Sequence, residues 1–568
     1  MKLRLFPAAI CCASFAVATF DSRDNCYAQG TKPSAAEVQS TESEDTSVVE
    51  DTSVVTVAIG SIDTLVPNIQ HLLRTAGAGA IGGTISGFVK QYAAGLDQKR
   101  PIGLFVDLDE TGNPISVACL PVSDLEAFFE SLSIFGEAND LGDGLYEFDF
   151  GSSIYAKKAG DWLFVSQAED SLEDIDESLA TSLPKLLQKY DLRVKLNPQN
   201  IPDDLVDFFV GQMEAGLEQS MAAQSENMDE EDAAAAQATS EQMIAQTSEL
   251  IQGTESLVIG LMVNKGEKKT VLDFGSKFVA DSKYAKQMEK AATAKSSFGG
   301  IPQDSSMMTL QYFQLFEPED IGQLEKVIEA SLKTAFKEID KNEDPAVQAK
   351  AKDYINRIVD IVLEGAKTGK AESAVDVSVD GPLSIVTSFS VADGSKVEAL
   401  AADLSKEAAS SPVPFKLQIG IGKHAGVNLH KLTVDLPPNA DDSARKIFGD
   451  TVNVAIGTSA KAVHLAIGKS ADENLKSAID RAGKTPSSPS QMVKMRMALT
   501  QLLNYIQSIE SSPVSEAMLN ATTSGNDLIS IDSQVVERGA VIRLSFEDGV
   551  IKGISAGVKA GMSSGGGF

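Results

Sequence analysis

Apolar positions recur along this chain with two periods, and the switches between them mark its elements. A period of two appears in pairs of short runs: residues 102–108 with 115–122, 257–263 with 270–279, 374–379 with 383–391, and 527–536 with 541–546. Each pair flanks a short link containing Gly, the signature of a β-hairpin. In the third pair Val375, Val377 and Val379 alternate with Asp376, Ser378 and Asp380, which predicts a half-buried strand with one wet face. A period of 3.6 fills the longer intervals. Ile321, Leu324, Ile328, Leu332, Ala335 and Ile339 make one stripe, and Val347, Ala351, Tyr354, Ile358 and Ile361 make the next. Between them Asp344-Pro345 supplies an N-cap and a Pro at the first helical position. The short link predicts an antiparallel helical pair.

These signals recur in a fixed order: a strand, amphipathic helices, a hairpin, then a closing helix. The opening strands are expected at residues 54–59, 192–196 and 308–316, with the second set of helices over 203–251. Ser123 with Glu126, and Ser395 with Glu398, fit capping boxes for two of the closing helices. Extra sheet segments at 162–166 and 463–467 lead into helices at Ser171 and Asp472, and a last strand is expected from Val550. The expected fold is α+β, with tandem pseudo-repeats of antiparallel β-hairpins and sheets carrying long helical hairpins. The expected units are 54–190, 191–305, 306–486 with an extra sheet segment, and a C-terminal helix plus hairpin over 487–560. A Gly/Ser tail follows at 561–568.

The N-terminal segment changes the picture by adding a compartment. Lys2 and Arg4 precede an apolar stretch over 5–20, and Cys26-Tyr27-Ala28 offers small residues at the positions a signal peptidase reads. Residues 1–28 are expected to be a signal peptide and 29–53 an acidic Ser/Thr-rich linker, with Glu-Asp-Thr-Ser-Val-Val repeated at 44–49 and 50–55. The expected location is the periplasm, or the cell surface and beyond. Cys11, Cys12 and Cys26 fall in the leader, leaving Cys119 without an intrachain partner as a buried, inert thiol. Residues 75–89 are uncharged but short and Gly-rich between Arg74 and Lys90, which favours close helix packing or a loop over a membrane span. No transmembrane anchor is expected after cleavage. The formal charge of −31 disfavours nucleic acid and anionic membrane surfaces as partners.

The segments PIGLFVDLD, ACLPVSDLEAFFESL, DGLYEFDF and GDWLFVSQ, between Pro101 and Gln167, resemble a group of uncharacterised exported proteins of planctomycete bacteria. That resemblance implies export in a two-membrane bacterium and repeated α+β units. It brings no activity and no functional residues with it.

Several motifs invite chemistry. Asp107-Leu108-Asp109-Glu110-Thr111 ends an apolar strand, as in the first motif of haloacid-dehalogenase-type phosphatases. Asp107 would then be the nucleophile and Asp109 the acid/base beside Mg²⁺. Against this, Asn113-Pro114 turns directly into another strand, and the equivalent turns at Asn264-Lys265-Gly266-Glu267 and Asp380-Gly381-Pro382 lack the carboxylate pair. Read as a calcium loop, the segment has Ala118 where the bidentate Glu belongs. A solvated turn is the better expectation. Gly77-x-Gly79-x-x-Gly82 follows a helix rather than a strand, Gly561-x-Ser563-x-Gly565 lies in the tail, and Asp273-Phe274-Gly275 is a strand fragment. His424 and His430 flank a hairpin turn with His464 on a nearby strand, so a three-His metal site is conceivable. With His71, they fit scattered surface or partly buried imidazoles better. Met213, Met221, Met228 and Met243, with the acidic loop 229–232, read as packing at a helix–helix seam.

No residue is assigned a catalytic, cofactor-binding or metal role, and no cofactor is expected. The leading expectation is a non-catalytic exported structural or interaction protein with an unknown protein partner. A carrier of an apolar ligand such as lipid is the first alternative, because long amphipathic helices against a curved sheet can enclose one. A metal-dependent phosphohydrolase using Asp107 and Asp109 is the second.

Overall fold

A computed structural model describes residues 53–109, 111–149, 151–225, 237, 244–341, 344–379, 382–407, 415–484, 492–522 and 525–563. The described residues mix helix and strand and fall into two compact bodies. One comprises those of Pro33–Glu289 and Val536–Ser555, the other those of Lys290–Val535 and Ala556–Phe568.

The chain opens with strand β1 (Val55–Ile59), helices α1 (Ile62–Thr75) and α2 (Gly79–Tyr92), the hairpin β2 (Ile102–Leu108) and β3 (Pro114–Pro121), and helix α3 (Leu125–Leu132). A four-strand meander follows: β4 (Ala138–Gly142), β5 (Leu145–Asp149), β6 (Ser153–Ala159) and β7 (Trp162–Ser166). Short helices α4 (Glu177–Thr181) and α5 (Leu183–Leu187) lead to β8 (Leu192–Leu196) and the long α6 (Asp203–Ser225). Then come β9 (Thr254–Asn264), β10 (Lys269–Phe278) and α7 (Lys283–Thr293).

The later half reads β11 (Met308–Leu315), α8 (Pro318–Ile339), α9 (Pro345–Ala366), β12 (Lys370–Ser378), β13 (Ser384–Ser390) and α10 (Gly394–Glu407). It continues with β14 (Phe415–His424), β15 (Val427–Asp435), α11 (Asp442–Phe448), β16 (Thr451–Thr458), β17 (Ala462–Gly468) and α12 (Ala471–Lys484). Then β18 (Val493–Ala498), α13 (Leu499–Ile509), α14 (Pro513–Ala521), β19 (Leu528–Val536), β20 (Gly539–Glu547) and α15 (Asp548–Ser563) follow.

In the first body the strand order is β4-β5-β6-β7-β3-β2-β1-β8-β9-β10-β20, antiparallel throughout. In the second it is β14-β15-β16-β17-β13-β12-β11-β18-β19, again antiparallel throughout.

Period-two alternation sends opposite parities to opposite faces. In the first body Ala58, Phe105, Cys119, Trp162 and Phe164 share one face and pack against Leu172, Ala180 and Leu183 from the segment after β7. Gly103 permits that contact, since a Cβ there would lie 2.5 Å from Leu183 Cδ2. On the opposite face α3 buries Phe128 with Val122, Phe148, Ala156 and Leu163. In the second body α12 lays Ala471, Leu475, Ala478 and Ile479 over Ala374, Val386, Ala455 and Ala466, joined by Phe298 and Ile301.

Several expectations are corrected. The segment from Val550 is helix α15, not a strand. Val550, Ile554 and Val558 recur every four residues, and so do Gly549, Gly553, Gly557 and Gly561. That spacing fits one turn of helix, and the helix runs into the expected tail as far as Ser563. The capping side chains are Asp124, which accepts from Ala127 N–H at 3.1 Å, and Asp393, which accepts from Ser395 N–H at 2.9 Å, instead of Ser123 and Ser395. Asp344 caps α9 as expected, with Pro345 next. The face of β12 expected to be wet is buried: Glu372 and Asp376 are both under 4 % exposed. They accept from Ser297 N–H and from Gln303 N–H and Ser306 Oγ, pinning the 297–306 segment over Ala374. β8, expected to open a separate unit at 191, pairs residue for residue with β1. Met213 is 42 % exposed, not packed in a seam, while Met228, Met243 and the acidic loop 229–232 lie outside the described residues.

Candidate functional site

The parity that does not enter the first body's main core is apolar from strand to strand. Cross-strand register aligns Ile542, Phe274, Ile259, Val194, Val57 and Leu104 in one row over six strands. The next row is Leu544, Leu272, Leu261, Leu192, Ile59 and Ile102. None of these twelve side chains is fully buried, and Ile259, Phe274 and Ile542 are 47 %, 39 % and 41 % exposed. Packed sheet faces in globular proteins bury such residues, and a contiguous apolar patch left open marks a binding surface.

The second body repeats the pattern. Met497, Met308, Val377, Ile385 and Ile467 align over five strands, and Met495, Leu310, Val375, Thr387 and Leu465 form the adjacent row. All ten are half-buried. At the β12–β13 end of these rows, Val379 and Leu383 line a cleft of about 850 Å³ closed by α11 and α13. Arg445, Lys446, Lys469, Asp450, Asn453 and Tyr505 supply its polar groups.

Buried charge sits on the other faces. Asp273 on β10 is fully buried and accepts both Nε and Nη2 of Arg543 at 2.8 and 2.7 Å, together with Tyr190 Oη at 2.8 Å. Burial pushes its pKa up, but the Arg543 fork and the Tyr190 hydroxyl outweigh this and hold the carboxyl below its ordinary value. Tyr190 lies flat over Gly260, where a Cβ would come within 2.4 Å of the ring. Asp273-Phe274-Gly275 is therefore a strand whose aspartate is locked in an ion pair, while Phe274 faces the open side.

Asp109 closes the β2–β3 turn. Its Oδ1 accepts Thr111 Oγ1 at 2.7 Å and the N–H groups of Thr111 and Asn113 at 2.8 Å, and Oδ2 accepts Asn113 Nδ2 at 3.1 Å. The Thr111 hydroxyl leads these bonds in lowering its pKa to about 2. Asp107 is exposed on β2, opposite Ile115. The pair is thus spent on a turn: one carboxylate is saturated by its own loop and the other points outward from a strand.

The three histidines do not converge. Gly420 N–H donates to His430 Nδ1, so the ring proton sits on Nε2, which donates to Thr458 Oγ1 at 2.9 Å. His464 Nδ1 meets Ser388 Oγ at 2.7 Å, and His424 Nε2 meets Asp480 at 2.8 Å. His71 pairs with Asp548 at 3.0 Å. Among the described residues no group of three or more His, Cys, Asp or Glu is placed to hold a metal. Cys119 is buried, and that burial pushes its thiol up to about 12. Gly77, Gly79 and Gly82 stand between and within helices α1 and α2, as expected.

Sequence reading missed both the open rows and the buried carboxylates. The rows had a signal, the unbroken apolar parity of β1, β8 and β9. Only strand order, which is not local, shows that the rows join. No protein family, curated protein or solved structure matches this chain.

Proposed function

We propose that this is an exported, non-catalytic protein that binds an apolar ligand of lipid type on the open faces of its sheets. The observation that carries this reading is the pair of six-strand apolar rows from Leu104 to Ile542 and from Ile102 to Leu544, left half-exposed in register. Twelve aligned aliphatic and aromatic side chains offer a ribbon a hydrocarbon chain can cover, each buried methylene contributing about 0.8 kcal/mol. The signal-peptide reading of residues 1–28 supports it, since an exported protein of a two-membrane bacterium works where lipids must cross water.

The test is titration of the delipidated full chain with a naphthylamine dye that fluoresces in apolar surroundings. Saturable binding is expected, with Ile259→Asp and Phe274→Asp each weakening it by about tenfold or more. Both side chains are well exposed, so the variants keep the wild-type melting temperature. Dye binding that is absent, or indifferent to both substitutions, removes this reading. A protein partner is the second reading. It is favoured by Phe208, Phe209 and Met213, which are 57 %, 60 % and 42 % exposed within two turns of α6.

We also infer that the chain holds two copies of one ten-strand unit, β1–β10 and β11–β20, in place of three shorter repeats. What supports this is the order β4-β5-β6-β7-β3-β2-β1-β8-β9 against β14-β15-β16-β17-β13-β12-β11-β18-β19, in which each label shifts by ten. A helical pair also follows the first strand of each copy, and one helix follows each third strand.

A further inference from the structure

We propose that the second body takes an amphiphile with a single anionic headgroup, its chain along the rows of β12 and β13 and its head in the cleft between α11 and α13. This rests on the apolar-ligand reading above and adds the ligand's class.

Continuity is the first argument. Val375, Val377 and Val379 lie on one parity of β12 and its extension, and Leu383, Ile385 and Thr387 lie on the matching parity of β13, with Val377 opposite Ile385. Val379 and Leu383 end those runs and also line the cleft. A chain lying on the rows therefore delivers its end into the cleft.

Charge is the second. The chain carries −31 overall, yet among the described residues the cleft is lined by Arg445, Lys446 and Lys469 against one carboxylate, that of Asp450. Arg445 is paired with Asp450 and donates to Pro437 O, and Lys446 donates to Ile509 O. Lys469, on the residue after β17, is exposed and has no hydrogen-bond or ion-pair partner among the described residues. Its ammonium stands in solvent at the cleft and is free to take an external anion. The repulsion from distant carboxylates is screened over about 8 Å at physiological salt, so the local cations decide the sign inside the cleft.

An unfilled donor is the third. Tyr505 lines the cleft, and its buried hydroxyl has no hydrogen-bond partner among the described residues. Burial raises its pKa, so the hydroxyl stays protonated and can donate to a carboxylate or phosphate oxygen. Ile447 and Phe448 give the cleft an apolar wall for the first methylenes behind the head. A volume of about 850 Å³ suits a headgroup with part of a chain.

Carboxylate and phosphate heads share this chemistry, and competition separates them. The delipidated full chain is loaded with the naphthylamine dye and titrated with dodecanoate, dodecyl phosphate and dodecanol. One or both anions should displace the dye at about a tenth of the concentration dodecanol needs. Preference for dodecanoate points to a fatty acid, and preference for dodecyl phosphate to a phospholipid-derived monoester. Lys469→Glu should erase the advantage of the anion while leaving dodecanol displacement and the melting temperature unchanged. Equal displacement by all three compounds, or an advantage that survives Lys469→Glu, overturns the headgroup assignment while the apolar site stands. Failure of the dye to bind at all overturns the apolar reading beneath it.

Discussion

His464 is 5 % exposed, beside Ser388 and edge-on to Phe298, and burial lowers its pKa to about 4. A base whose folded pKa is depressed leaves stability fully present above its unfolded pKa near 6.5 and loses it as pH falls toward 4. The loss is on the order of 3 kcal/mol, and it should appear in urea unfolding between those limits. His464→Gln should flatten that limb of the profile, whereas a limb as steep as wild type would assign the sensitivity elsewhere. Asp273 acts in the same direction lower down, because its depressed pKa contributes stability that is lost only as pH falls below about 3.8. Asp376 acts in the opposite sense, since burial raises its pKa and protonation relieves that cost. At this scale local pattern was informative for Cys119 and Asp109. The thiol's parity on its strand and the Asn-Pro after the carboxylates named their settings. It was silent on Glu372, Asp376 and Asp273, because a buried carboxylate reads as an exposed one until its distant partners are known.

Helix caps show how a correct element can be entered by the wrong residue. Ser123-Asp124 and Gly394-Ser395 each offer more than one start, and the box motif favours Ser. Asp wins at both, one residue after Ser123 and two before Ser395, because its longer reach meets the first free N–H groups at 3.1 and 2.9 Å. Asp124→Ala should therefore lower stability by about 1 kcal/mol in chemical denaturation, and Ser123→Ala by far less. The reverse order would restore the expected box. Strands with strong alternation, such as those of the four hairpins, lay within a few residues of their expected ends. β4 (Ala138–Gly142) did not register, since its side chains are almost all exposed and carry no apolar parity. α15 was misread because Val550-Ile551 is a good strand opening on propensity, and only its four-residue glycine spacing argues for a helix.

Over the whole molecule the formal charge of −31 sets a field that no single ion pair offsets. Among the described residues, ion pairs such as Lys341–Glu338 and Lys406–Asp403 are exposed and contribute little, while the like-charge repulsion is summed over the entire surface. Raising sodium chloride from about 10 mM to about 200 mM should therefore raise the melting temperature. A fall would mean that specific pairs such as Asp273–Arg543 govern stability instead. The α+β class was legible from periodicity alone. The division into two bodies was not, because it depends on which distant strands share a sheet, and hairpin signals report only neighbours.

The pairing of β10 with β20 has a consequence for the order of events during synthesis. Lys269 lies opposite Glu547, so the first body's sheet gains its last strand only after the segment through residue 547 has left the ribosome. Until then β10 offers an unpaired edge, and Asp273 waits for Arg543. A product terminated before β20 therefore keeps a sticky border and leaves Asp273 without the Arg543 fork, ready for proteolytic disposal.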